Sequence, residues 1–325
     1  MELALYTDSV PDVTFEEALD LAADVGAAGI EIAAGGQSPA PHMRIDELLA
    51  DDDKLGRFRA AFASRGLSIA ALNCSSWALH PLRGVSHAGV IRRTIELAGR
   101  LDVRKIVTMS GCPGDGPGAT TINWIWYPWP EDAVALRERQ WDEAIPFWRE
   151  MAGRAADCGI DRIAFELHPL HLVYNVPSFL RMRDAIGPIL GINLDPSHLF
   201  WQQMDPLAVI HALGDAVHHV HLKDTQLVPD QLALAGVLDQ RPFDDPANRA
   251  WTFRTVGVGH DRAFWSSFIA ALRSVRYDDV LSIENEDPYQ PAEEGVRQAA
   301  GFILPLLAEP HLESMDPPPT TQGAR

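Results

Sequence analysis

The sequence predicts an α/β fold, an eight-stranded parallel TIM (β/α)8 barrel. Three observations lead there. Short apolar or β-branched runs alternate with segments of helical periodicity along nearly the whole chain, which implies a parallel sheet built from β–α units. Four late runs end in the same kinds of side chain. Ile163-Ala164-Phe165 ends in Glu166-Leu167-His168-Pro169, Gly191–Leu194 in Asp195-Pro196-Ser197-His198, Val217–Val220 in His221-Leu222-Lys223-Asp224, and Val280–Ile283 in Glu284-Asn285-Glu286-Asp287. Polar groups at the C-terminal tips of consecutive parallel strands are where α/β barrels place their chemistry. Finally, 325 residues, 46% apolar and 22% charged, suit one large-cored globular barrel.

The elements follow in order. Glu2–Tyr6 is strand one. Thr14 caps a helix from Phe15 to about Val25, and Glu17 completes a capping box. Strand two is Gly29–Ile32, and His42 lies in the loop after it. Leu55–Arg65 has helical spacing and stops at Gly66. Strand three is Leu67–Leu72, ending at Asn73; Val90–Leu101 is helical; Lys105–Met109 is strand four. The rhythm then breaks. Gly111–Pro130 mixes Gly and Pro with Trp124, Trp126, Tyr127 and Trp129. A connection this long inside a compact domain is functional or disordered, and its aromatic content argues against disorder. It packs on the barrel rim, walls a planar or sugar substrate, or docks another subunit.

A helix from Ala133 to Cys158 follows, then strand five to Glu166, a helix over Val176–Ile186 and strand six to Asp195. After these come a helix over Pro206–Leu213 and strand seven to His221. A second long connection, Thr225–Val256, carries Trp251 and Phe253. Phe264–Val275 is helical, Asp279–Ile283 is strand eight, and Glu293–Leu307 closes the barrel. The expected organisation is one barrel domain over 1–308 with insertions at about 111–132 and 225–256. The tail, 309–325, is rich in Pro and Thr and is expected to be disordered.

A formal net charge of −18 argues against a nucleic-acid partner and against anionic membranes. No apolar run approaches the roughly 20 residues of a membrane span, and the N-terminus lacks signal-peptide features. Cys74, Cys112 and Cys158 show neither paired nor metal-type spacing, so a reducing cytoplasm is the expected location.

Glu166, Asp195, His221 and Glu284 converge if the strands close into a barrel. Three carboxylates and an imidazole favour one divalent ion, Mn²⁺, Mg²⁺ or Co²⁺, with Zn²⁺ also compatible. His168, two residues beyond Glu166, shares its direction along the strand; it is either a general base or a rim histidine. Lys223 either neutralises an oxyanion or pairs with Asp224 or Glu286. Glu31 and Asn73, at the ends of strands two and three, are candidates for binding substrate hydroxyls. Trp124 and Trp126 are candidates for a substrate wall. One of His218 and His219 belongs to the core. His171 and His42 are weaker candidates, and Glu286 and Asp287 read as surface or supporting groups.

The Glu, Asp-x-x-His, His-x-Lys-Asp and final Glu tips together resemble the xylose-isomerase-like sugar isomerase and epimerase superfamily. Gly257-Val258-Gly259 is similar to that family's Gly-x-Gly loop. The resemblance spans roughly Glu2–Leu307. It implies one divalent metal on Glu166, Asp195, His221 and Glu284, proton handling by Glu166 and Glu284, and a substrate contact at His198. The implied chemistry removes the weakly acidic proton beside a sugar carbonyl through a metal-stabilised enediolate, with a carboxylate or imidazole taking the proton. The long connections after strands four and seven depart from simple ketose epimerases. With the Glu-x-His-Pro tip, they look similar to catalytic subunits of bacterial C-glycoside deglycosidases. Those eliminate the aglycone from 3-oxo-C-glycosides and work with a smaller β-type subunit, so a homo-oligomer or such a hetero-oligomer is expected. The alternatives are an isomerase or epimerase of free or phosphorylated sugars and, in another class, a non-catalytic sugar-binding or subunit protein.

Overall fold

Eight parallel strands close into a barrel in the computed structural model, which describes residues 1–309. The strands are β1 (Glu2–Tyr6), β2 (Gly29–Ala33), β3 (Ser68–Asn73), β4 (Lys105–Thr108), β5 (Arg162–Glu166), β6 (Leu190–Leu194), β7 (Val217–Leu222) and, after a two-stranded excursion, β10 (Val280–Ile283). Each pairs with its sequence neighbour, and β1 closes the ring against β10, Leu3 beside Leu281. Of the predicted tail, 309–325, all but its first residue lies outside the described residues.

Outside the barrel run α1 (Phe15–Asp24), α2 (Ile45–Ala50), α3 (Asp52–Ala63), α4 (Gly84–Leu101), α5 (Glu131–Asp157), α6 (Val176–Ile186), α7 (Pro196–Trp201), α8 (Pro206–Leu213), α9 (Pro229–Ala235), α10 (Arg262–Ser274) and α11 (Ala292–Ala308). The expected capping box is present at α1. Thr14 Oγ1 accepts from the Glu17 amide, and the Thr14 amide donates to Glu17 Oε2. The main core lies between strands and helices, with Trp148, Trp265, Phe165, Phe179 and Phe268 fully buried. Side chains two apart on a strand share a face, so the barrel interior receives small or polar groups. Ala71, Val107 and Ala164 pack together there. Asp279 braces Lys105 (3.0 Å) and Arg162 (2.5 Å) at the opposite end from the strand tips. No helix among the described residues is long and apolar enough to cross a membrane.

Three features depart from expectation. The connection after β7 is structured: β8 (Asp224–Leu227) pairs antiparallel with β9 (Trp251–Arg254), and α9 lies between them. Its alternation was hidden by the polar and Pro-rich residues around it. The short helices α2, α7 and α9 are additional, each too brief for periodicity to show. Helix α4 starts at Gly84, well before the expected Val90.

Gly191 on β6 makes one close approach. A Cβ there would meet the His218 ring of β7. Gly191→Ala therefore overpacks the sheet, at a cost of about 1–3 kcal/mol. A lowered midpoint in thermal or urea unfolding would check this, and an unchanged midpoint would show that the two strands can part.

Candidate active site

The polar residues gather at the C-terminal ends of the strands. Glu166 ends β5, Asp195 follows β6, His221 lies on β7 and Glu284 follows β10. One donor atom from each lies within 4.8 Å of the others. His221 Nδ1 is 2.7 Å from Glu284 Oε2 and 3.6 Å from Glu166 Oε2. Its other nitrogen, Nε2, lies 3.1 and 3.0 Å from the two oxygens of Glu31. The imidazole thus offers Nδ1 to the cluster and anchors Nε2 on a carboxylate, the arrangement that orients metal-binding histidines.

The donor set fits a cation. Asp195 Oδ1 accepts from the Ser197 amide (2.8 Å) and caps α7. Buried Oδ2 finds no hydrogen-bond partner among the described residues. Burial, with the charges of Glu284 and Glu166 adding to it, pushes Asp195 up to about 8 despite Lys223 and His221. Burial and the neighbouring Glu284 also raise Glu166. Carboxylates crowded away from water are costly unless a positive charge joins them. Three oxygen donors and one nitrogen suit a hard or borderline divalent ion.

Around this cluster the candidate residues take distinct places. His168 Nδ1 lies 2.6 Å from the Pro169 carbonyl and must donate to it, which leaves Nε2 as the lone-pair nitrogen. Burial, helped by His198, lowers His168 to about 4, so its ring is neutral at pH 7. His198 Nε2 is 3.2 Å from Glu166 Oε1 and 3.5 Å from Asp195 Oδ2. Lys223 is buried, 2.6 Å from Glu286 and 3.3 Å from Glu284, with its ammonium over the Phe253 ring. Asp224 does not meet it. Instead Asp224 Oδ2 accepts from the amides of Gly257, Gly259 and His260, which pins the Gly-x-Gly loop. Asp287 holds Arg254 and the Thr255 amide. His42 bonds the Val13 carbonyl (2.9 Å).

Glu31 is a correction. It was expected to bind a substrate hydroxyl at a strand tip, but it is 0% exposed beneath His221. Strand β2 runs on to Ala33 and shifts register against β3 between Ile30 and Glu31, which leaves Glu31 below the tip. There it accepts from His219 Nε2 (2.8 Å) and Asn73 Nδ2 (2.8 Å) as well as His221. Burial favours its neutral form, but His221 and His219 outweigh burial and hold it well below the usual carboxylate range. Asn73 does line the cavity, though its amide is already engaged by Glu31 and the Ser75 amide.

Two cavities open here. One, of about 470 Å³, lies against the cluster and is bordered by Tyr6, Asp8, Gln37, Ser38, Glu166 and Lys223. The other, of about 720 Å³, is walled by Trp124, Trp126, Leu170, Trp201, Phe243 and Trp251. His168, His198 and Phe253 line both. Of the aromatic excursion, Trp124 packs edge-on against Tyr174. Trp126, Tyr127 and Trp129 are 47, 53 and 70% exposed. Sequence reasoning missed Tyr6, which stacks on His221, and Asn193, which donates to Glu166 Oε2 (3.2 Å). Both were findable: Tyr6 ends β1, and Asn193 stands two residues before Asp195.

The fold agrees with the comparison to known families. Residues 19–306 match the family described as xylose isomerase-like TIM barrel. This chain belongs to that family. It is 40% identical over 313 residues to the uncharacterized protein YfiH of Bacillus subtilis strain 168, covering 95% of this chain and all of that protein. Among solved structures it is similar to the IolI protein with a bound zinc atom, at a TM-score of 0.67 and 18% identity, over 94% of this chain and 98% of that one. It is also similar to an L-ribulose 3-epimerase, at a TM-score of 0.63 and 15% identity, over 94% of each chain.

Proposed function

We propose that this member of the xylose isomerase-like family is a divalent-metal-dependent carbohydrate enzyme that removes the proton beside a sugar carbonyl. The observation that carries the reading is the convergence of Glu166, Asp195, His221 and Glu284 on one buried point. These four hold the ion, Mn²⁺ or, on the same donors, Mg²⁺, Co²⁺ or Zn²⁺; the zinc in the IolI structure supports a metal in this fold. When bound, the ion supplies Lewis-acid stabilisation of negative charge on substrate oxygen. His168 takes the proton through Nε2, its ring fixed by the Pro169 carbonyl. Lys223, desolvated between Glu284 and Glu286, presents a fixed positive charge to the same cavity. His198 contacts substrate at the waist between the two cavities. Glu166 and Glu284 are alternative proton carriers.

In its finer form the reading is β-elimination from a 3-oxo-C-glycoside. The C2 proton goes to His168, and its electron pair passes through the 3-oxo enolate into a C1–C2 double bond. The C1–aglycone bond breaks, and the aglycone leaves with that bond's electrons and takes up a proton. The apolar cavity of about 720 Å³ beside His168 supports a bulky aglycone. The exposed Trp126, Tyr127 and Trp129 support cover by another chain, a second copy or a small β-type subunit. The alternative, supported by likeness to L-ribulose 3-epimerase, is isomerisation or epimerisation of a ketose, in which the proton returns to carbon and nothing leaves.

NMR in D₂O with a panel of ketoses and 3-oxo-glycosides tests the proposal. Chelator-sensitive deuterium uptake beside the carbonyl is expected, with loss of aglycone if elimination follows. No exchange on any member of the panel would leave a non-catalytic sugar-binding protein as the better reading.

Glu31 supplies a further expectation. Glu31→Gln removes the charge behind His221, and such supporting partners are worth about 10–100-fold in metal affinity. Metal titration by calorimetry should show that loss, whereas unchanged affinity would place the ion away from His221.

A further inference from the structure

Arg249 lines the apolar cavity of about 720 Å³ and is only 2% exposed. Arginine is almost never buried this far without a carboxylate partner. Asp239, which lines the same cavity, is already taken: it accepts from Nε and Nη2 of Arg241 and from the Ala250 amide. Arg249 itself meets only neutral acceptors. Its Nε donates to the Trp251 carbonyl (3.3 Å) and its Nη1 to the Arg241 carbonyl. Among the described residues it forms no ion pair, and its Nη2 makes no hydrogen bond. The guanidinium carbon lies 4.0 Å over the Phe243 ring and 4.7 Å over the Trp251 ring. These contacts hold the group flat and offset part of its desolvation, but they leave its charge without a counterion.

A row of rings joins this cation to the strand tips. His198 meets Phe253 edge-on (5.5 Å between centroids), Phe253 stacks on Phe243 (6.2 Å), and Phe243 carries Arg249. Trp201 and Trp251 stack face to face (4.7 Å) in the wall of the same cavity. Phe243 is 60% exposed, an apolar surface that a flat ligand would cover. We propose that Arg249 is the specificity-determining residue of this cavity and selects a flat aromatic ligand that carries a carboxylate. The aromatic row takes the rings, and the planar guanidinium matches a carboxylate in shape and charge. On a chain of net charge −18, an anion is held only by such a local, desolvated cation. The inference rests on the proposed function for one part alone, that this ligand is the apolar portion of the substrate. The binding itself rests on the cavity.

Isothermal titration calorimetry of the purified protein with 2-naphthoate and its neutral counterpart 2-naphthamide tests this. Wild type should bind the carboxylate roughly tenfold or more tighter than the amide, the scale on which a charge-assisted hydrogen bond exceeds a neutral one. In Arg249→Gln the two should bind alike, with the carboxylate weakened and the amide unchanged. Arg249→Lys, which restores the charge, should recover the preference. It decides the matter if Arg249→Gln loses both ligands or fails to fold, and a preference absent from Arg249→Lys then overturns the proposal. Equal or undetectable wild-type binding would also overturn it. So would a preference that survives Arg249→Gln, the result expected if the carboxylate sat on a metal instead. If no proton exchange occurs with any substrate, the proposed function fails, while the two titrations still decide the role of Arg249.

Discussion

Asp195→Ala is expected to abolish metal binding and leave no measurable proton exchange, while the barrel stays folded. Asp195 sits at the centre of the electrostatic problem: it is 1% exposed and close to Glu166, Glu284 and His221. Removing it takes one of four donors from the ion and leaves the other three too open to hold it tightly. The structural cost is modest. Oδ1 caps α7 through the Ser197 amide, and such a cap is worth about 1 kcal/mol. Against that, the substitution removes one of the crowded buried carboxylates. Asp195→Asn keeps the cap and should lose the metal all the same. Atomic absorption, circular dichroism and the exchange assay read the three quantities separately. Full activity in either variant would show that Asp195 only caps its helix.

His168→Ala is expected to lower the rate of proton removal by roughly 10²–10⁴-fold, the usual contribution of a positioned base, with the metal still bound. The ring stands beside His198 (4.2 Å between centroids) at the waist of the two cavities, and its tautomer is fixed by the Pro169 carbonyl. It lies outside the four-donor cluster, so its loss should leave affinity at that cluster largely unchanged. His168→Gln, which keeps bulk but lacks a basic nitrogen, should be equally slow. Rates equal to wild type would return proton transfer to Glu166 or Glu284.

The strands and the four tip residues were legible because both depend on short-range pattern. A β-branched run followed by Glu, Asp or His locates a tip without knowledge of its neighbours. Depth within the barrel was not legible. Glu31 looked like a tip residue because a two-residue period gives its face and not its level, and its partner His219 stands 188 positions away. His218 and His219 could not be separated, since the β6–β7 register shift at Ile192/Asn193 leaves no mark in the chain. The connection after β7 read as loop because β8 and β9 stabilise each other and neither carries a strong period alone. Its contribution, Phe253 against Lys223 and His198, depends on that pairing. Trp124 and Trp126 were placed on the correct face by their position after β4. The cavity they share with Trp201 and Trp251 required the folded chain.

One divalent ion is proposed on Glu166, Asp195, His221 and Glu284. A crystal structure of the Mn²⁺-loaded protein, with anomalous differences collected at the manganese edge, tests it most directly. A single strong peak about 2.0–2.6 Å from an oxygen of each carboxylate and from His221 Nδ1, within ordinary ligand distances, is the expected result. A peak elsewhere, or four side chains more than about 3 Å from any common peak, would contradict it.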